Sequence, residues 1–215
     1  MANVNLWSNV SVSIQSALDA PDTITGITKA NPAVVTAAAH GLSDGDFVKM
    51  TVLGMREVDS RVFRVANSTS GTFELENEDT TNYATFISGT AEKITFGINM
   101  TTAVGLNGSG GEFDFIDTTT IHGNAKSQVP GLPNAASYTF DNLWDPSDAA
   151  LAAMNVASKN RSQRAVRFHF AGGTGPVVAF NSYIGCSLLP TGSAQDKVLT
   201  SVVATMHGAP SVYPD

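Results

Sequence analysis

The chain reads as mainly β with a single helix, built as a larger β-domain interrupted by a smaller one. Three observations carry that reading. Short runs on both sides of the chain's middle alternate apolar and polar residues with period two, the periodicity of strands. Residues 27–93 break into short β-rich runs separated by glycines, at the spacing of a small all-β unit. One run of helix formers near residue 150 carries its own start signal.

In chain order, residues 9–14 come first, where Val10, Val12 and Ile14 share one face of a half-buried strand. The runs Ala33-Val34-Val35-Thr36, Phe47-Val48-Lys49-Met50-Thr51-Val52, Arg61-Val62-Phe63-Arg64-Val65 and Thr72-Phe73-Glu74-Leu75 follow, punctuated at Gly41, Gly45, Gly54, Gly71 and Gly89. Residues 91–97 read as a strand leaving this unit. The glycine-rich residues 105–111 read as a flexible connection. Glu112-Phe113-Asp114-Phe115 alternates strictly, which predicts a strand with its phenyl rings packed on one side and its carboxylates wet on the other. Residues 117–134 are polar, carry Pro and Gly, and read as a long loop.

Asp145-Pro146-Ser147-Asp148 predicts the helix start, with Asp145 as the cap, Pro146 in the first turn and Asp148 at the positive end of the dipole. Helix formers continue to about Lys159. Lys159, Arg161 and Arg164 lie near its negative end and complement it. Residues 164–170 and 176–180, joined by a glycine turn, form a hairpin. Residues 198–206 make a last long strand.

Composition narrows the function. Charged residues are only 14% of the 215, against roughly 25% in ordinary soluble proteins. That shortfall is mild support for a surface covered by other subunits, whose interface cores lose charge first. A net charge of −7 argues against tight binding to a phosphate backbone, which needs clustered cations. It does not oppose DNA passing along a neutral or repulsive wall. The start of the chain has no basic region followed by an apolar run, so no secretory signal is expected, and no stretch is long and apolar enough to insert in a membrane.

Reactive chemistry finds no foothold. Cys186 is the sole cysteine, which excludes an internal disulfide and a four-cysteine metal site; its apolar neighbours predict a buried small hydrophobe. His40, His122, His169 and His207 are scattered without metal-ligand spacing, and His169 reads as a cross-strand polar position. No nucleophile elbow is present, and the glycine runs lack a phosphate-loop lysine. Glu112 and Asp114 alone are a weak case for a glycosidase pair. No catalytic residue, metal or cofactor is expected.

Several motifs nevertheless fit a known family. The stretch His40-Gly41-Leu42-Ser43-Asp44-Gly45-Asp46-Phe47-Val48, then residues 61–67, Thr72-Phe73-Glu74-Leu75, Asp79-Thr80-Thr81-Asn82-Tyr83 and Ser88-Gly89-Thr90, resembles a small β-module of phage tail and baseplate proteins. That module looks like a catalytic-cysteine half-domain of ubiquitin-activating enzymes, without its cysteine. The flanking Asn5-Leu6-Trp7-Ser8, residues 110–122, Val129-Pro130-Gly131-Leu132, Leu143-Trp144-Asp145-Pro146 and Leu188-Leu189-Pro190-Thr191-Gly192 resemble the major tail tube proteins of siphophages, the long non-contractile-tailed bacteriophages.

The resemblance implies a tail-tube β-sandwich with one flanking α-helix, in residues 1–26 and 94–215, and a small inserted all-β domain, residues 27–93, projecting outward. It implies self-association into stacked hexameric rings around a tape measure protein, with the tail terminator and distal tail proteins as further partners and double-stranded DNA in transit. It places the protein in the virion tail, after assembly in the host cytoplasm. On this reading Asp117, Thr119, His122, Lys126, Val129, Pro130 and Leu132 belong to an inter-ring stacking loop, Glu112 and Asp114 are candidates for the channel wall, and Leu151 and Met154 pack the outer helix on the sandwich. The alternative is a carbohydrate-binding or host-adhesion module. Such a module would expose aromatics, whereas Trp7 and Trp144 both stand in apolar sequence settings.

Overall fold

A computed structural model describes Trp7 and residues 9–214. Asn5, Leu6 and Ser8 of the N-terminal motif, and the first residues read for a signal, lie outside the described residues. The strands are β1 (Ser11–Ile14), β2 (Ala17–Leu18), β3 (Asp22–Ile24), β4 (Gly26–Ile27), β5 (Ala33–Thr36), β6 (Phe47–Leu53), β7 (Val62–Ala66), β8 (Thr72–Leu75), β9 (Ser88–Thr95), β10 (Ile98–Met100), β11 (Ala103–Ser109), β12 (Phe113–Asp117), β13 (Gln128–Pro133) and β14 (Ser137–Leu143). Helix α1 (Ala149–Asn160) precedes β15 (Gln163–His169), β16 (Val177–Cys186), β17 (Leu199–Met206) and β18 (Ser211–Tyr213). The expected mainly β fold with one α-helix is what the structure contains. Beyond the last strand expected, β18 returns to pair with β16.

The first sheet runs β10-β1-β15-β16-β17-β14-β11. In a flat sheet β14 and β15, three places apart, would be separated by roughly 14 Å. Instead the ring centroids of Phe140 and Phe168 lie 5.9 Å apart, and those of Tyr138 and Phe168 5.2 Å apart. The sheet is therefore folded on itself into a sandwich. Val12, Ile14, Val166 and Phe168 from one layer meet Phe140, Val202 and Ala204 from the other. Leu151 and Met154 of α1 are fully buried in the same core.

Strand β1 departs from the half-buried expectation. Val12 and Ile14 face the core, but Ser13 on the opposite face is also buried, its hydroxyl donating to Asn99 Oδ1 at 2.9 Å. From β1 the chain crosses to a second sheet, ordered β2-β9-β6-β7-β8-β5-β4. Asp22–Ile24 pairs with β9, and Gly26–Ile27 continues on to β5. One bent strand thus bridges the two ends of the sheet and closes it into a small barrel, whose core holds Val35, Met50, Phe63, Phe73 and Leu75. The four β-rich runs read between residues 33 and 75 all become strands of this barrel.

The limits expected for this unit, residues 27 and 93, cut through that pairing. Ala17–Leu18 and Asp22–Ile24 both bond to β9, so the barrel's strands extend from Ala17 to Thr95. Strand β9 is not an exit but the barrel's hub, and Gly89 lies inside it rather than at a break. There a Cβ would stand 2.7 Å from the Thr51 carbonyl, so the close strand crossing admits only glycine. Entry and exit are adjacent: the Ser16 amide donates to Thr95 O at 2.8 Å, and the Gly97 amide to Ser16 Oγ at 3.1 Å.

Two further expectations are corrected. The helix is capped by Asp148, whose side chain accepts from the Leu151 amide at 2.9 Å. Asp145 instead closes the preceding turn, accepting from the Ser147 amide and hydroxyl, and Pro146 sits in that turn. The carboxylate nearer the apolar periodicity wins the cap because the first buried helical residues are Ala150 and Leu151. Residues 105–109 of the expected flexible connection belong instead to edge strand β11, which pairs with β14. The glycines there make room, since a Cβ on Gly108 would stand 3.0 Å from the Tyr138 ring.

Candidate functional site

After β11 the chain leaves the sandwich. At the departure point Gly110 has φ +87°, and a Cβ there would meet the Ala135 carbonyl at 2.4 Å. Strands β12 and β13 then pair with each other alone, forming a two-stranded ribbon. Its base is tied by the Gly111 amide to Asn134 O and the Asn134 amide to Glu112 O, at 3.1 and 2.8 Å. Its tip is tied by the Thr118 amide to Ser127 O at 2.8 Å. Asp117 accepts from the Thr119 hydroxyl and amide, which holds its carboxyl below the ordinary carboxylate range.

The structure therefore replaces the expected loop with a hairpin, in which Val129 pairs with Ile116 and Pro130 with Phe115. Proline is tolerated because both strands of an isolated ribbon are edges with unclaimed backbone positions. Asp117, Thr119, His122, Lys126, Val129, Pro130 and Leu132 all fall on this hairpin, Thr119, His122 and Lys126 in its tip. Glu112 and Asp114 fall at its base, where Asn134 Nδ2 donates to Asp114 Oδ1 at 3.2 Å.

Neither face of the ribbon is packed within the subunit, contrary to the expected packed side for the phenyl rings. Phe113 is 52% exposed, Phe115 63%, Leu132 86% and Ile121 96%. The pattern of alternation survives, but among the described residues no layer lies over it. Large apolar side chains concentrated on one projecting element mark an association surface rather than a solvated one.

A second open surface lies on the sandwich. The outer face of β15 and the first half of β16 is covered by the barrel, where Ala165, Val177 and Ala179 pack with Phe47, Val62, Ile94 and Tyr213. Among the described residues, the outer face of β11, β14 and β17 carries no such cover. Asn107, Thr139 and Val203 line up across it, with Asp141 beside Ser201.

Residues the sequence reading passed over hold the barrel to the sandwich. Arg61, buried, donates to Ala209 O at 3.2 Å and to Glu78 Oε2 at 3.0 Å, with its guanidinium 4.6 Å from the Phe63 ring centroid. Tyr213 accepts from the Arg64 amide at 2.7 Å and lies under the Arg64 guanidinium, which also pairs with Glu76. Burial pushes the Tyr213 hydroxyl up to about 12. The available signal was the pair of arginines set among apolar residues, Arg61 just before β7 and Arg64 within it, together with Glu74, Glu76 and Glu78 alternating from the end of β8 onward.

The remaining sites are ordinary. His40 Nδ1 accepts from the Leu42 amide at 3.1 Å, and its ring meets Phe73. His169 sits opposite Ser11 and Val177, and His207 packs on Tyr183. Cys186 is buried, which raises its thiol above the ordinary value. Among the described residues no three of His, Cys, Asp and Glu are grouped to hold a metal, and no helix is long and apolar enough to cross a membrane. Both tryptophans are partly open, contrary to the apolar settings read from the sequence. Trp7 rests on Phe170, and Trp144 Nε1 donates to Leu188 O at 2.9 Å.

A folded β-sandwich that projects an unpacked apolar ribbon defines a structural, self-associating class of subunit. The comparison with known proteins then gives the family. The chain belongs to the phage tail tube proteins, matching that family over residues 53–215. The match begins at Leu53, inside the barrel, and takes in β7, β8 and β9 as well as the sandwich strands from β10 onward, the ribbon and the helix. It is thus a structural protein of the bacteriophage tail that assembles with itself into a tube. No curated protein matches it.

Proposed function

We propose that this chain is the major tube subunit of a siphophage tail. It assembles as hexameric rings, the rings stack around a tape measure protein, and the emptied channel later conducts double-stranded DNA. The tail terminator and distal tail proteins cap its ends, and it carries no enzymatic activity. The observation that carries the reading is the ribbon of residues 112–134, whose large apolar side chains Phe113, Phe115, Ile121 and Leu132 stand more than half exposed. The ribbon reaches the next ring and orders its stacking through Asp117, Thr119, His122, Lys126, Val129, Pro130 and Leu132. Exposed edge strands β10 and β11 supply the head-to-tail contact whose rotation closes a ring.

The barrel of residues 17–95 is the inserted unit, the counterpart of the small module resembling a ubiquitin-activating half-domain, and it projects outward. Its adjacent entry and exit at Ser16 and Gly97 support insertion into a β1–β10 hairpin. Negative-stain electron microscopy of the concentrated protein tests the proposal. Hollow tubes of uniform width are expected, and a variant joining Gly111 to Ala135 through a short turn forms none while keeping its fold. Tubes of normal length from that variant would remove the ribbon from the stacking role.

A further inference from the structure

We propose that Arg167 and Lys93 form a site for a compact oxyanion of the phosphate kind, at the seam between barrel and sandwich. The site goes beyond the tube reading, and its failure would leave that reading untouched. Arg167 stands on β15 with Ala179 opposite it on β16. Its chain neighbours Val166 and Phe168 point into the sandwich core, so Arg167 points the other way, toward the barrel. There its guanidinium lies 4.8 Å from the ring centroid of Phe96 and 5.6 Å from that of Phe47. The two rings meet edge to face, their centroids 5.4 Å apart.

The partly buried cations of the barrel each have a carboxylate: Arg61 pairs with Glu78, Arg64 with Glu76, Lys49 with Glu92 and Lys93 with Asp46. Arg167 has none among the described residues, and its Nε is buried without a hydrogen-bond acceptor. Burial pulls its pKa below the ordinary arginine value, with no opposite charge to offset the effect. Aromatic faces attract a guanidinium, but they do not offer the paired oxygens that its planar fork matches.

Space for such oxygens is present. Arg167, Lys93, Phe47 and Phe96 line a depression of about 240 Å³. That is below the roughly 300 Å³ at which sites for drug-sized molecules begin, so its occupant is a small ion. Asp46 is the one carboxylate on the wall, and it already accepts from Lys93 Nζ at 2.6 Å and from the Ser43 amide at 2.8 Å. Two cations against one engaged carboxylate make this wall locally positive on a chain of net charge −7. A carboxylate ligand would spend both oxygens on the guanidinium fork. A tetrahedral oxyanion keeps others for the Lys93 ammonium, which has donors left beyond the one given to Asp46. Lys93 belongs to β9 of the barrel and Arg167 to β15 of the sandwich, so an anion between them fastens one to the other.

Equilibrium dialysis of the full chain against radiolabelled inorganic phosphate, at an ionic strength held constant with chloride, tests the site. Saturable binding that approaches one phosphate per chain is expected. Arg167→Gln should weaken it by about tenfold or more, as the loss of a charge-assisted hydrogen bond predicts. Arg167→Lys keeps the charge without the fork and should bind with intermediate affinity. Phosphate should also raise the thermal unfolding midpoint of the parent more than that of Arg167→Gln. Equal rises in both would mean that phosphate acts on the whole surface as an excluded salt, and would overturn the site. Saturable binding retained in full by Arg167→Gln would overturn its placement at this seam. Absence of saturable binding by the parent would overturn it without any variant, leaving the two rings as the arginine's partners.

Discussion

The barrel and the ribbon are built from the same material and end differently. Both contain short strands in which phenylalanines stand next to charged residues, Phe63 beside Arg64 and Phe73 beside Glu74 in one, Phe113 and Phe115 on either side of Asp114 in the other. In the barrel, Phe63 and Phe73 are fully buried. In the ribbon, Phe113 and Phe115 stay in solvent. The barrel closes because a bent strand, residues 22–27, returns to bond both ends of its sheet, so each strand finds neighbours and each apolar side chain finds a core. The ribbon has only two strands, too few to enclose anything. The barrel is complete alone, whereas the ribbon needs company.

Removing the ribbon tests that contrast most severely. Joining Gly111 to Ala135 should abolish tube formation outright, with a thermal unfolding midpoint close to that of the parent in scanning calorimetry. A large drop in that midpoint would mean that the ribbon supports the subunit after all.

The same substitution placed in each region should give opposite readouts. Phe63→Ala leaves a cavity in the barrel and should cost about 3–5 kcal/mol in denaturant unfolding. Phe115→Ala should change folding stability by no more than about 0.5 kcal/mol, while delaying tube growth followed by light scattering. Equal stability losses would erase the distinction drawn between the two regions.

The junction tests how independent the barrel is of the sandwich. Tyr213→Phe leaves the Arg64 amide without its acceptor and should cost about 1–2 kcal/mol. Excising residues 17–96 would uncover Ala165, Val177, Ala179 and Tyr213 together, so limited proteolysis should show β18 released. An unchanged cleavage pattern would make the barrel a freely separable attachment.

A smaller effect appears at high pH. The folded-state value of Tyr213, about 12, lies above its ordinary 10.0. The unfolded chain therefore loses this proton first. The stability linked to the neutral hydroxyl is complete below pH 10 and declines as pH rises toward 12. Tyr213→Phe should flatten the pH dependence of urea midpoints in that window; parallel curves for parent and variant would assign the alkaline loss to other groups.

Much of the fold was legible. Strands β5 and β8, the two arms of the β15–β16 hairpin and the helix with buried Leu151 and Met154 follow from local periodicity, which is a property of neighbouring residues. The helix cap was misplaced by one turn because Asp145 and Asp148 offer the same chemistry, and only the position of the first buried turn separates them. The glycines of residues 105–111 suggested flexibility, yet Gly105 and Gly108 admit the close approach of Asp141 and Tyr138, residues distant in sequence.

The sequence by itself determined the mainly β class, the single helix, the absence of a metal-ligand or nucleophile pattern and the family, because these depend on residue types and their spacing. Only the tertiary structure decided where the barrel begins, that β9 is its hub, and that Arg61, Arg64 and Tyr213 fasten it to the sandwich. It also decided that the alternating residues 112–117 are unpacked and that Arg167 meets two phenyl rings rather than a carboxylate. Alternation announces two faces, but which of them is covered depends on strands far away in the chain, and those meet only when the sheet folds back on itself.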